Sequence, residues 1–377
     1  MNSFSLSFVP EIRFGAGRLA DIAPLAEARA GGKATVLLVA DPALKPLGIT
    51  GLAIDILGKS GIAAHVYDGF AGEPRAADID AATALARRHE AGAVIGLGGG
   101  SALDTAKLVA CCAVSGLAAS AYALCATPLP KDRLPLIAVP TTAGTGSEVT
   151  RVSVYADAGK AKVWAWGEEL KPDVAVLDPE LTVAVPPAVT AGTGLDALVH
   201  AIEAATNKQA NPGNDLYCLK AISLIAANLE RAVTHPGDIA ARGAMLLASC
   251  YGGIGIDNCG TALAHNISHA VANLAAIPHG RATGLAMLAT IGWVAEGNPA
   301  AFARVAEAMG AGDPVAGFDR LVRASGIAVA PGLTDVTPEA LARHMASPAN
   351  APMRKSTKRY PKDEDLVMLA ERFLELT

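Results

Sequence analysis

The sequence predicts two domains of different class, an α/β N-terminal domain with parallel strands over residues 1–185 and an all-α C-terminal domain over residues 186–377. Three observations carry this. In the first half, short β-branched runs alternate with helix-compatible stretches, the pattern of repeated strand–helix units. After about Val185 the strand signal fades and apolar residues recur at helical spacing. Between the two regimes stands Pro186-Pro187, which no strand or helix interior accepts.

In order, Thr35–Ala40 (TVLLVA) reads as a buried strand, with Asp41 just past its C-terminal end. His65-Val66-Tyr67 is a second short strand, and Ala76–Glu90 an amphipathic helix with Arg87, Arg88 and Glu90 at its wet end. Ala93–Leu97 is a third strand, running straight into Gly98-Gly99-Gly100-Ser101. Glycines admit conformations closed to other residues and let an anion reach the main chain, while Ser101 suits the N-cap of a helix from Ala102 to Val114. A helix N-terminus carries unpaired N–H groups and partial positive charge, so strand, glycine loop and helix together make a pyrophosphate cradle. Asp104 falls in the first turn, where a carboxylate suits the helix dipole, and Lys107 follows one turn on. Three glycines alone are equally well explained by a tight turn. The loop is not G-x-G-x-x-G, since Leu103 fills the last glycine place, and it lacks the Gly-Lys-Ser/Thr ending of a nucleotide P-loop.

A fourth strand, Leu136–Val139, ends at PTTAGTGSE, whose hydroxyls and glycines suit a ligand-lining loop at the carboxyl edge of a sheet. Tyr155–Trp166 reads as a hairpin around Asp157-Ala158-Gly159 with Lys162 on the return strand, and Asp173–Leu177 is the last strand. Helices are then expected over 192–207, 213–232, 238–254, 261–274, 281–294, 299–309 and 314–325.

Two of these helices carry chemistry. Asp196 and His200 are four residues apart, so their side chains share one helix face, as do those of His265 and His269. His279 follows between Pro278 and Gly280, at a turn or helix end. A lone histidine on an apolar helix is more often a satisfied core residue, but this set, with two i,i+4 pairs in one stretch, points to a metal site. One carboxylate with imidazoles suits Fe, Zn, Ni or Co better than Mg or Ca. A zinc peptidase would carry Glu directly after the first histidine, and Asn266 stands there instead.

Composition bounds the rest. The 377 residues are 51% hydrophobic and 18% charged, ordinary for a folded enzyme large enough for two cores. A formal net charge of -5 without a Lys/Arg-rich block argues against nucleic acid or an anionic membrane as partner. The cluster Arg354, Lys355, Lys358 and Arg359 reads as a solvated surface segment. No uninterrupted apolar run reaches the ~18 residues of a membrane helix. The N-terminal stretch MNSFSLSFVPEIRFG has no basic start or long apolar core, so a cytoplasmic protein is expected. The cysteines Cys111, Cys112, Cys125, Cys218, Cys250 and Cys259 form no C-x-x-C pair and read as mostly buried, reduced thiols.

GGGSALDTAK at 98–107, PTTAGTGSEVT at 140–150, GLDALVHAIEA at 194–204 and AHNISHAVANLAAIPHG at 264–280 together resemble the motifs of the iron-dependent, group III alcohol dehydrogenases. The resemblance spans nearly the whole chain. It implies a dinucleotide-binding α/β domain followed by a helical metal-binding domain, the architecture shared with dehydroquinate synthase, and assembly as a homodimer or larger homo-oligomer. It implies NAD and Fe2+, with Zn2+ or another divalent metal as alternatives, acting on a small alcohol or aldehyde. Metal ligands would be Asp196, His200, His265 and His279, with His269 relaying a proton beside the nicotinamide. Gly98, Gly99, Gly100, Ser101 and Asp104 would surround the pyrophosphate. Thr141, Thr142 and Ser147 would lie along the dinucleotide, and Lys162 near the nicotinamide ribose. Asp41 falls at the adenosine ribose, where a carboxylate accepts from a 2′-OH and repels a 2′-phosphate, so NAD is expected over NADP. Two departures bear on substrate: Ile256 stands where many members carry phenylalanine, with Asp257 beside it, and Ser356–Pro361 replaces an Asn-Pro-Arg element. A glycerol dehydrogenase-like oxidoreductase, or a lyase that uses NAD without net turnover, would share the fold; net NADH formation from a simple alcohol separates the dehydrogenases from the lyase.

Overall fold

The computed structural model describes residues 3–70 and 72–377. The chain divides into two compact units: Val9–Thr142 with Ser147–Ala184, and Val185–Thr377 together with Ala143–Gly146 and the segment up to Phe8.

The first unit is built on β1 (Glu11–Phe14), α1 (Ile22–Arg29), β2 (Thr35–Ala40), α2 (Ile49–Lys59), β3 (Ala63–Tyr67), α3 (Ala76–Arg88), β4 (Ala93–Gly98), α4 (Gly100–Ser115) and β5 (Leu136–Pro140). The hairpin β6 (Val152–Ala156) and β7 (Lys162–Trp166) follows, then β8 (Val174–Leu177). Six strands form one parallel sheet in the order β1-β8-β5-β4-β2-β3, and the hairpin stands apart as an antiparallel pair. Alternation along β2 shows why its sequence is continuously apolar. Leu37 and Val39 join a core with α3 and α4, while Val36, Leu38 and Ala40 join a second core with α1 and α2. Both faces are covered, as a parallel sheet requires.

From β2 the chain moves outward to β3 and returns to β4 on the other side of β2, so the winding reverses between β2 and β4. Ligands of such sheets bind at the carboxyl ends flanking that reversal. Asp41 and the glycine loop stand there.

The second unit is helical. It runs through α5 (Pro187–Thr206), α6 (Pro212–Thr234), α7 (Ile239–Cys259), α8 (Leu263–Val271), α9 (His279–Glu296), α10 (Pro299–Ala308) and α11 (Pro314–Ala324). It closes with α12 (Pro338–Met345), α13 (Ala351–Ser356) and α14 (Asp363–Leu374). Helix α5 is its axis, buried along nearly its whole length from Thr190 to Thr206. Small residues bring neighbours close: a Cβ at Gly252 of α7 would lie 3.1 Å from the Ala197 carbonyl oxygen, and one at Gly255 2.7 Å from Cys218 Sγ. Helix α7 is long and apolar enough to cross a membrane, yet 67% of that window is buried within the unit's core.

The observed architecture is the predicted one, with local corrections. Strand β1 is an addition; its charges Glu11 and Arg13 hid an edge strand paired to β8. Helices α12 to α14 were not expected from the sequence. Ser101 is not the N-cap, because α4 already begins at Gly100 with Gly99 as its uncharged cap, and this moves Asp104 out of the first turn. The basic segment near 354 is not wholly solvated. Arg354 is 9% exposed and donates to the Pro361 carbonyl and to Asp363, while Arg359 stacks on Trp293 at 4.1 Å. Of the cysteines, Cys125 alone is exposed, and burial pushes the thiols of Cys111 and Cys112 up to about 12.

Candidate active site

Asp196 and His200 project from the middle of α5, one turn apart, and His265 and His269 from α8. His279 is the first residue of α9, with Pro278 before it ending the preceding loop. Close approach of two glycines seats it: a Cβ at Gly280 would lie 2.3 Å from the Gly192 carbonyl oxygen, so only glycine lets the first turn of α9 rest on α5 one turn from Asp196.

These helices bring three imidazoles around one carboxylate oxygen. Asp196 Oδ1 lies 3.6 Å from His265 Nε2, 3.7 Å from His279 Nε2 and 4.0 Å from His200 Nε2. Asp196, His265 and His279 form the tightest group, with ligand atoms all within 4.8 Å of one another. His200 stacks on His265 with ring centroids 4.6 Å apart, and its Nδ1 sits 3.2 Å from the Gly144 carbonyl oxygen, which leaves Nε2 facing the centre. The His269 ring is 5.4 Å from that of His279 and 6.2 Å from that of His265, beside the group rather than in it.

The chemistry of this donor set fits a divalent transition metal. Asp196 Oδ1 and His265 Nε2 are buried without a hydrogen-bond partner, a costly state unless a cation completes them. Burial opposes charge on Asp196, but the imidazoles of His200, His279 and His265 hold its carboxyl well below the usual range. Burial likewise lowers His200, against the pull of Asp196. Asp196, His200 and His265 are all 5% exposed or less, whereas the His279 side chain is 34% exposed and marks the open side. One carboxylate and neutral nitrogen donors with an open side describe a site for Fe2+ or Zn2+.

One residue went unread in the sequence. Glu203 lies a further turn along α5 on the face of Asp196, is 2% exposed, and approaches His265 Nδ1 at 2.7 Å. Its signal was present as the next step of the same helical stripe, 196, 200, 203.

At the sheet edge the main chain does most of the work. Gly98 has φ +151°, and a Cβ there would lie 2.8 Å from both Ala102 Cβ and Asp41 Cβ, so only glycine fits between the end of β2 and α4. A Cβ at Gly99 would touch Thr142 Oγ1 at 3.3 Å, and the Thr141 N–H donates to the Gly98 carbonyl at 2.9 Å. Asp41, Gly98–Ser101, Thr141 and Thr142 therefore meet at the ends of β2, β4 and β5. No side chain caps α4, which leaves its leading N–H groups to a bound anion.

The side chains around this loop, the expected Asp41, Asp104 and Lys162 among them, are largely committed elsewhere. Asp104 accepts from Ser147 Oγ at 2.5 Å and from the Val154 N–H at 2.9 Å. Lys107 is fully buried and donates to Thr150 Oγ1 and the Val152 carbonyl. Lys162 pairs with Glu73 at 3.1 Å, and Asp41 accepts from the Ala43 N–H at 3.0 Å.

Comparison with known proteins agrees with both regions. Residues 10–179 match the family described as iron-containing alcohol dehydrogenase, and residues 190–335 match its C-terminal family. The chain is 41% identical to a probable alcohol dehydrogenase, EutG, of Salmonella typhimurium over 71% of this chain and 68% of that protein. It is 36% identical to long-chain-alcohol dehydrogenase 1 of Geobacillus thermodenitrificans over 82% of this chain and 78% of the relative. The solved sulfoacetaldehyde reductase of Bifidobacterium kashiwanohense, in complex with NAD+, superposes with a TM-score of 0.92 at 29% identity, covering 100% of both chains. The chain belongs to the iron-containing alcohol dehydrogenase family and is a metal-dependent, NAD(H)-linked oxidoreductase of alcohols and aldehydes.

Proposed function

We propose that residues 186–377 hold the catalytic metal through Asp196, His200, His265 and His279, and that residues 1–185 bind NAD. The observation that carries this is the single carboxylate oxygen of Asp196 ringed by three Nε2 atoms at 3.6–4.0 Å, with no hydrogen bond of its own. Bound there, divalent iron supplies Lewis acidity toward an alcohol hydroxyl or a carbonyl, and NAD the hydride exchange. The chain's own residues do the rest. Asp196 and the imidazoles fix where the reacting oxygen sits, and His269 takes the proton outward from its place beside His279 and His265. The amides of Gly98, Gly99, Gly100 and Ser101 receive the pyrophosphate. Asp104 acts there by holding Ser147 and β6 in place. Thr141, Thr142 and Ser147 flank the dinucleotide, and Lys162 reaches the nicotinamide ribose by leaving Glu73.

Asp41 selects NAD over NADP through the 2′-hydroxyl. Ile256, smaller than phenylalanine, with Asp257 beside it, favours a bulkier or more polar alcohol than ethanol. We place the enzyme in the cytoplasm as a homodimer or larger homo-oligomer. The test is NADH absorbance from Fe(II)-loaded and Zn(II)-loaded protein given NAD and a panel of primary alcohols, diols and hydroxy acids. Metal-dependent turnover is expected; none with either metal, despite measurable NAD binding, contradicts the reading.

A further inference from the structure

We infer that Glu203 is the positioning residue that presents His265 to the metal, by holding the imidazole proton on Nδ1 and turning the Nε2 lone pair toward Asp196. The inference rests on the metal centre proposed above and assigns it a part that lies outside the ligand set.

The geometry carries it. Glu203 Oε1 accepts from the Ala264 N–H at 2.7 Å, and Oε2 accepts from the Ala262 N–H at 2.6 Å. These amides open α8, where helical N–H groups have no acceptor in their own helix. One buried carboxylate of α5 therefore fixes both the position and the direction of α8. The same Oε2 lies 2.7 Å from His265 Nδ1. Because both oxygens already accept backbone protons, the third hydrogen bond takes its proton from the ring. A ligating imidazole is neutral and has only one N–H, so with that proton held on Nδ1 the metal takes the Nε2 lone pair, displacing any proton there. It faces Asp196 Oδ1 at 3.6 Å, too far for a hydrogen bond, and neither atom has another partner. A lone pair aimed at a carboxylate is repulsive on its own. A cation between them makes both contacts favourable, and a carboxylate behind a ligating imidazole raises its basicity and fixes its ring plane. Glutamine cannot substitute: its NH2 group would confront one of the three donors.

The test uses the full-length chain stripped of metal, reloaded with Zn(II) and labelled with 15N-histidine. In the wild type, the His265 resonance, assigned by its absence in His265→Ala, is expected to show a slowly exchanging Nδ1–H. A proton on Nε2 in the loaded protein overturns the inference without recourse to any Glu203 variant. Glu203→Gln is expected to lose that Nδ1–H signal and to bind Zn(II) about 10–100-fold more weakly, with NAD affinity unchanged. A variant that keeps both signal and affinity overturns it, since a residue that only caps α8 would alter stability and leave the tautomer alone. Wild-type Zn(II) affinity in His265→Ala would instead contradict the metal centre itself, and the inference with it.

Discussion

In the helical unit the ligand-seeking groups are side chains left incomplete: Asp196 Oδ1 and His265 Nε2 are buried without partners on packed helices. In the α/β unit the side chains near the glycine loop are already engaged, Asp104 with Ser147 and Val154, Lys107 with Thr150 and Val152. What remains open there is main chain, the leading amides of α4 and the space that Gly98 leaves by having no Cβ. A metal needs donors of definite type at definite points, which only side chains supply. A pyrophosphate needs N–H groups and room, which a backbone supplies with any sequence that avoids bulk.

The two units differ most sharply in what the metal requires. His265→Ala and Asp196→Ala are each expected to lower kcat/KM by at least about 10³-fold, the scale of several kcal/mol of lost Lewis-acid assistance, with NAD affinity within about twofold of wild type. Metal content by elemental analysis and NAD titration by fluorescence check the two halves separately.

Glu148 is a buried carboxyl within the α/β unit, 1% exposed, whose Oε1 has no hydrogen-bond partner. Burial pushes it up to about 7, against the pull of its own backbone hydrogen bond and of Lys107. Below the ordinary value of 4.5 it is protonated both folded and unfolded. As pH rises the unfolded chain gives up its proton first, so stability falls between 4.5 and about 7 and the full loss is present above that. Glu148→Gln is therefore expected to gain up to about 3 kcal/mol over wild type at pH 8 relative to pH 5, read by urea unfolding at both values. An equal difference at the two pH values would mean that the carboxyl is solvated.

At the backbone-built site, Gly98→Ala is expected to weaken NAD binding about tenfold through strain at φ +151° and contact with Asp41 and Ala102, while metal stoichiometry stays the same. Lys162→Met should have the smallest effect, less than about a threefold rise in KM for NAD, because its ammonium pairs with Glu73 near solvent. A larger rise would show that this side chain carries more of the dinucleotide than its neighbours do.

The same contrast explains what was legible in the sequence. Asp196, His200, His265 and His279 stood out because imidazoles and carboxylates are rare on apolar helices, and their spacing matched the helical period. Glu203 lies on the same stripe, but an acidic residue at helical spacing is usually a solvated one; its burial depends on α8, which no local pattern reveals. The glycine loop is legible as a loop, but the direction of the side chains around it is not. Whether Asp104 or Lys107 points to solvent or to β6 depends on where the hairpin packs. The sequence pattern predicts a helix from 192, whereas α5 starts at Pro187; Gly192 in its second turn admits Gly280, a contact 88 residues away in sequence. The strand pattern of the sheet, by contrast, follows from continuous apolar runs and needed no distant information.

Iron K-edge X-ray absorption on anaerobically Fe(II)-loaded protein, wild type beside His279→Ala, reads the proposed ligand set of Asp196, His200, His265 and His279 directly. Scattering from imidazole rings and a carboxylate oxygen around one iron per chain is expected, with the imidazole contribution reduced by one ring in the variant. An iron shell of water and carboxylate oxygens alone, or a spectrum unchanged in the variant, would contradict it.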